Sequence, residues 1–190
     1  MPDAIVLLKN DHKTVERLFK QFEKLGGSSS GAHKTKRDVV DKIIQELSIH
    51  AAIEEQHFYP TIREQAPDIS DDVLEGLEEH HVVKWTLSEL KDMSPQAERF
   101  DAKVTVLIEM VRHHVEEEEA DMFPKVREAM GRKDLQVLGE TMEKAKAISP
   151  KQPHPKAPDT PPGNLIAGPA AAAADSVKAA AKKGLLRRGR

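Results

Sequence analysis

Apolar residues return every three or four positions over four long stretches of the chain. Between about Asp3 and Leu25 they fall at Ile5, Leu8, Val15, Phe19 and Phe22, the spacing that lines one face of a helix, and Gly26 with Gly27 then breaks the pattern. After the GGSSSG linker a second helix is predicted from about Lys34 to Gln65, with Val40, Ile43, Ile44 and Leu47 on its inner face. Pro60 is expected to kink it or tighten its last turns, and Pro67 with Asp68 to end it. The third starts near Ser70 and carries Val73, Leu77, Val83, Leu87 and Leu90. Ser94 reads as an N-cap with Pro95 at the first helical position, opening a fourth helix that runs to about Met130 before Gly131. A short additional helix is predicted over Leu135 to Ala147. Short connections force consecutive helices to run antiparallel, so the expected fold is all-α: an up-down-up-down four-helix bundle over residues 1–131, with the extra helix inside 132–149.

After Ser149 the character changes. Seven prolines lie between Pro150 and Pro169, followed by an alanine tract and the ending GLLRRGR. Residues 150–190 are therefore expected to form a disordered tail, with transient helix over Ala170 to Lys183, because so little apolar surface cannot offset the entropy of ordering. The formal charge of -3 hides a division. From Pro150 onward eight basic side chains stand against two acidic ones, which leaves the bundle with nine negative charges in excess. An acidic body is not a nucleic-acid surface; only the basic tail offers one, and a solvated spacer is the expected role there.

Composition narrows the chemistry. Aromatics make up 4% of the chain and β-branched alternation is missing, which argues against a sandwich or barrel. With no cysteine, any metal site must use nitrogen and oxygen, since thiolate zinc, iron-sulfur clusters and cysteine nucleophiles are excluded. The apolar run Ile5 to Leu8 is too short for a signal core or a membrane span, so a cytoplasmic protein without a membrane partner is expected.

The site is located by an internal repeat. HAAIEEQHFYPTIRE (His50 to Glu64) overlies HVEEEEADMFPKVRE (His114 to Glu128) at a shift of 64 residues, pairing His50 with His114, Glu54 with Glu118, Glu55 with Glu119 and Pro60 with Pro124. A weaker match at a shift of 68 lays DHKTVERLFKQF over EHHVVKWTLSEL and pairs His12 with His80. The chain thus reads as two helical hairpins, each giving one histidine from its first helix and a His-x-x-x-Glu pair from its second. Residues four apart on a helix lie about 40° apart around the axis and about 6 Å along it, so each such pair points one way. All six side chains continue apolar stripes and aim at the bundle interior.

Burying unpartnered imidazoles and carboxylates is costly, and a cation removes the penalty. A nitrogen and oxygen donor set suits iron, manganese or zinc. The metal-ligating candidates are His12, His50, Glu54, His80, His114 and Glu118, enough for two ions. His81 is the rival of His80 if the register slips by one, and Glu119 that of Glu118. His57 and Asp121, three residues after the glutamates, are expected to hydrogen-bond to a ligand; Tyr59 reads as packing or as a phenol near the metal. His113 is rotated away, and His33 and His154 receive no role.

Taken together, NDHKTVERLF, HAAIEEQHFYP, EEHHVVKWTL and HVEEEEADMFP resemble the hemerythrin family, specifically bacterial proteins with the His-His-Glu cation-binding domain, over about residues 3 to 130. That resemblance implies a non-haem centre of two iron ions that binds dioxygen, nitric oxide or hydrogen peroxide. It also implies a difference from the oxygen carriers, whose third helix supplies two histidines four apart, whereas Lys84 stands four after His80 here. The two halves are more alike and one nitrogen short, so the expected function is binding, with turnover of small oxidants in stress response, or else an iron- or oxygen-responsive sensing module.

Overall fold

A computed structural model describes residues 2–27 and 29–188. Helix α1, Ala4–Glu23, starts where the Asp3 carboxylate accepts a hydrogen bond from the Val6 backbone N–H at 2.9 Å. Helix α2, Ser30–Ile53, begins earlier than the apolar pattern indicates because Ser29 caps it, accepting from the Ala32 N–H at 3.2 Å. The kink expected at Pro60 takes a specific form. Residues Glu54–Phe58 make one π-helical turn, and α3, Tyr59–Gln65, continues beyond it with Pro60 in its first turn. Proline has no N–H to return to the carbonyl four residues back and its ring crowds that carbonyl; the wider turn relieves this, with the Tyr59 N–H bonding the Glu54 carbonyl instead.

Helix α4 spans Ser70–Asp92 and α5 Phe100–Glu117. The fourth helix does not open at Ser94. Ser94 Oγ accepts from the Gln96 N–H at 3.2 Å, and successive bonds from Ala97 N to Ser94 O and from Phe100 N to Ala97 O close two tight turns, so helix proper begins only at the fully buried Phe100. A second π turn, Glu118–Met122, and α6, Phe123–Ala129, repeat the arrangement of the first hairpin around Pro124. Together α1, α2 with α3, α4, and α5 with α6 form the antiparallel four-helix bundle, and the described residues contain no strand. Helix α7, Arg132–Lys146, packs against α1 with Leu135, Leu138, Met142 and Ala145 buried. No helix among the described residues is long and apolar enough to cross a membrane.

The stretch from residue 150 onward, expected as a tail with transient helix over Ala170 to Lys183, carries a helix and several polar contacts in the structure. Gly163–Arg188 is helical (α8), and residues 150–164 lie along the bundle. The buried Asp175 carboxylate accepts from the Lys151 and Gln152 N–H groups, both at 3.1 Å, and pairs with His154. The Asn164 side chain donates to the carbonyls of Glu55 and Asp159, each at 2.8 Å. An expectation built on apolar burial has no means of seeing such polar contacts.

Buried apolar residues fall into two clusters. One holds Ile5, Leu8, Ile53, Phe58, Tyr59, Leu77, Met122 and Phe123, and the other holds Val15, Phe19, Val40, Leu47, Val83, Leu87, Leu107 and Val111. Along each of the four long helices the stripe changes from one cluster to the other at a histidine: between Leu8 and Val15, Leu47 and Ile53, Leu77 and Val83, and Val111 and Met122. A polar layer therefore crosses the middle of the bundle.

Candidate metal centre

The structure brings all six predicted side chains into this layer. His12 comes from α1, His50 from α2, His80 from α4 and His114 from α5, while Glu54 and Glu118 are the first residues of the two π turns. None is more than 5% exposed. Donor atoms of His12, His50, Glu54 and Glu118 lie within 4.8 Å of one another, and so do those of Glu54, His80 and His114. Glu54 Oε2 is 3.1 Å from His50 Nε2 and 3.4 Å from His80 Nε2; Glu118 Oε2 is 3.3 Å from His12 Nε2 and 3.6 Å from His114 Nε2. Each glutamate thus faces one histidine from each hairpin. The π turns sit where both carboxylates must enter the same layer, a placement common at functional sites.

His80 Nε2 and His114 Nε2 lie 3.2 Å apart, within hydrogen-bond reach, but the other donors are close without satisfying one another. His12 Nε2, both ring nitrogens of His50, both oxygens of Glu54 and Oε2 of Glu118 are buried with no hydrogen-bond partner. Orphaned polar atoms in a packed core each cost on the order of 1–3 kcal/mol, and a fold does not gather six of them without a compensating partner. A cation at the convergence of these atoms would supply it, and the all nitrogen and oxygen donor set fits one.

The electrostatics point the same way. Burial and the facing Glu118 drive the Glu54 carboxyl well above its ordinary range. Burial also works against a charged Glu118, but His114, His12 and His50 around it outweigh that and hold it low. Burial lowers the His50 imidazole to about 4 and depresses His80 as well, keeping both neutral and able to donate a lone pair. His114 is raised: burial opposes its charge, yet Glu118 and Glu79 beside it prevail. Two buried carboxylates face to face shed one charge between them; a cation would restore it.

A carboxylate faces the outer nitrogen of every one of the four histidines. Glu119 Oε1 is 2.8 Å from His12 Nδ1, Glu55 Oε1 is 3.2 Å from His80 Nδ1, Glu79 Oε2 is 2.6 Å from His114 Nδ1, and Asp11 stands 3.8 Å from His50 Nδ1. Such partners fix the ring and aim its other nitrogen inward. Asp11, Glu55 and Glu79 escaped the sequence reading, and Glu119, read as the rival of Glu118, does this different task. The signal was present: Asp11 overlies Glu79 at the shift of 68, and Glu55 overlies Glu119 at the shift of 64. The contacts obey the same two-fold relation, since exchanging the hairpins turns His12–Glu119 into His80–Glu55 and His50–Asp11 into His114–Glu79.

Other expectations fare differently. His81 accepts from Trp85 Nε1 at 3.0 Å on the outer side of α4, so the register favours His80. Neither His57 nor Asp121 bonds to one of the six among the described contacts; Asp121 pairs with Lys125 at 2.6 Å. A π turn advances less per residue, so the third residue after the glutamate has not returned to the inner face, whereas the fifth has. Tyr59 is that fifth residue, and its hydroxyl donates to Glu118 Oε1 at 3.0 Å. Its repeat mate Phe123 stacks on His12 with ring centres 5.9 Å apart.

Comparison with known proteins agrees with this geometry. An uncharacterised hemerythrin-like protein of Schizosaccharomyces pombe is 25% identical over 86% of this chain and 83% of its own length. A DNA nickase of a Nostoc species is 29% identical over 64% of this chain, which spans only 32% of that protein. A hemerythrin HHE cation binding domain-containing protein of Mycobacterium kansasii shares the fold, with a TM-score of 0.62, 24% identity, and coverage of 77% of this chain and 89% of that one. The family model of the hemerythrin HHE cation binding domain matches residues 3–126, the bundle up to the middle of α6, with both donor pairs and the layer between the hairpins. The chain belongs to the hemerythrin family of HHE cation-binding domains.

Proposed function

We propose that this protein holds two iron ions in the layer between its hairpins and uses them to bind dioxygen, nitric oxide or hydrogen peroxide, with turnover of a small oxidant as the consequence. His12 and His50 would hold one ion and His80 and His114 the other, with Glu54 and Glu118 serving both. The single observation that carries this reading is the sharing of Glu54 between the two donor groups, inside a layer of buried atoms that lack partners.

When bound, the ion pair would supply redox equivalents and an exchangeable coordination position. The protein's own part is more specific. Asp11, Glu55, Glu79 and Glu119 orient the imidazoles from outside. The Tyr59 phenol, kept protonated by burial and by Glu118 and Glu54 beside it, anchors one oxygen of Glu118 and leaves the other free. Two apolar clusters, one on each side, exclude bulk water.

Iron analysis of the full chain tests the reading. About two iron atoms per chain are expected, falling to nearly none in a folded His50→Ala, His114→Ala double variant. Well under one iron in wild-type protein given ample ferrous iron would refute it. A sensing role draws on a separate observation, the bond from Asn164 to the Glu55 carbonyl, which ties the C-terminal segment to the residue next to Glu54. Steady consumption of peroxide or nitric oxide favours turnover; metal-dependent protection of residues 150–178 without consumption favours sensing.

A further inference from the structure

Beside the central layer lies a cavity of about 110 Å³ between α4 on one side and the end of α5 with the second π turn on the other. Its rim is acidic, formed by Asp72, Glu75, Glu79, Glu117 and Asp121, with Lys125 paired to Asp72 and Asp121 at one edge. Its floor is His114 and Glu118, two of the six central residues, and Glu118 Oε2 is buried with no partner. Gly76 forms part of the wall; a Cβ there would lie 3.0 Å from Tyr59 Oη and 3.6 Å from His114 Cε1, so the missing side chain keeps the passage wide where it meets the centre.

Glu79 and Glu117 of this rim stand with the exposed His113, itself outside the cavity lining, and one donor atom from each of the three lies within 4.8 Å of the others. His113 Nε2 is 3.2 Å from Glu117 Oε1, while Glu79 reaches inward to His114. The two-fold repeat does not account for this group. The residues that overlie it in the first hairpin are Asp11, Ile49 and Ile53; both isoleucines are buried, and Asp11 is paired with Lys146 of α7. The cavity on the His12 side is different too: Val15, Phe19, Val111 and Val115 line it together with charged residues, of which Glu16 is paired with Arg112 and Glu119 with Lys9 and His12, and its carboxylates form no further donor group with a histidine among the described residues. One half of an otherwise symmetric site therefore carries an extra set of cation donors that leads into the interior.

We propose that Glu79, His113 and Glu117 form an outer cation site through which divalent metal reaches the His80 and His114 half of the centre, an inference that rests on the central layer being a metal site. Carboxylates around a narrow opening concentrate cations locally and speed their capture, most strongly at low ionic strength. His113 and Glu117 pass the ion to Glu79, which touches His114, and Glu118 receives it below.

The test is anaerobic loading of full-length metal-free protein with ferrous iron, following the free ion with a chromogenic chelator and measuring the final content. A His113→Ala, Glu117→Gln double variant is expected to load roughly tenfold more slowly while reaching the wild-type content. Glu116→Gln, which removes the same charge from the wall of the other cavity, on the His12 side, is expected to load at the wild-type rate. Equal loading rates in wild type and the double variant, or equal slowing by Glu116→Gln, would overturn the route and leave the centre standing. If wild-type protein takes up no iron at all, the centre and its route fall together.

Discussion

Lys84 stands four residues after His80, where the oxygen carriers that this family includes place another histidine. Its ammonium lies 2.8 and 3.0 Å from the two oxygens of Glu55, and both residues are buried. Since Glu55 also holds His80 Nδ1, the lysine acts on the centre through two intermediates rather than as a donor. Removing one partner of a buried pair leaves a stranded charge, so Lys84→Met is expected to cost about 3 kcal/mol at neutral pH, and Glu55→Gln added to it to recover part of that. Burial raises the Glu55 carboxyl, but His80 and Lys84 outweigh it and hold the group below 4.5. The stabilisation it gives is complete above that value and is lost as the pH falls through its folded-state pKa. Denaturant unfolding of both variants against pH checks this; a penalty for Lys84→Met that persists unchanged in strong acid would count against the pairing. The six inward donors were legible because helical spacing and the repeat both marked them. Lys84 was not, because its partner lies 29 residues away and no periodicity announces a salt bridge.

Among the elements, the long helices followed from apolar spacing, while the features that aim the carboxylates did not. A π turn has no pattern of its own at five residues, and Pro60 and Pro124 signalled only that something must happen nearby. The start of α5 was misplaced for a related reason: Ser94 and Pro95 are as suited to a capped turn as to a helix start, and the burial of Phe100 decides between them. Helix α7 was visible as a stripe, yet its docking depends on a residue with no side chain. A Cβ at Gly139 would lie 2.7–2.8 Å from Pro2 O, Ala4 N and Asp3 C, all backbone atoms at the start of α1 that cannot rotate away. Gly139→Ala must therefore push α7 off α1, in spite of alanine's higher helix propensity. The expected cost is about 2 kcal/mol, or roughly 4–8 °C in the midpoint of thermal unfolding. A variant as stable as wild type would mean that the two helices do not approach this closely.

For the molecule as a whole, the polar layer divides the apolar interior in two, and neither cluster includes a described residue beyond Ala145. The described C-terminal residues add polar contacts to the outside of a bundle whose core is complete without them. Stability therefore depends on what occupies the layer. Without a cation, four imidazoles and two carboxylates meet with six of their nitrogen and oxygen atoms, on His12, His50, Glu54 and Glu118, left without a partner, at the point where all four helices change from one cluster to the other. An ion that binds only the folded chain stabilises it by about 4 kcal/mol at a thousand times its dissociation constant, which is on the order of 8–16 °C for a chain of this size. Because the layer joins both clusters, loading should slow amide exchange on both sides of it, around Leu8 and Val73 as well as around Ile44 and Val104. Stripping the metal with a chelator should reverse both effects together. If the stripped protein melts at the same temperature, or if exchange changes in one cluster alone, the ions are not what holds the two halves of the bundle to each other.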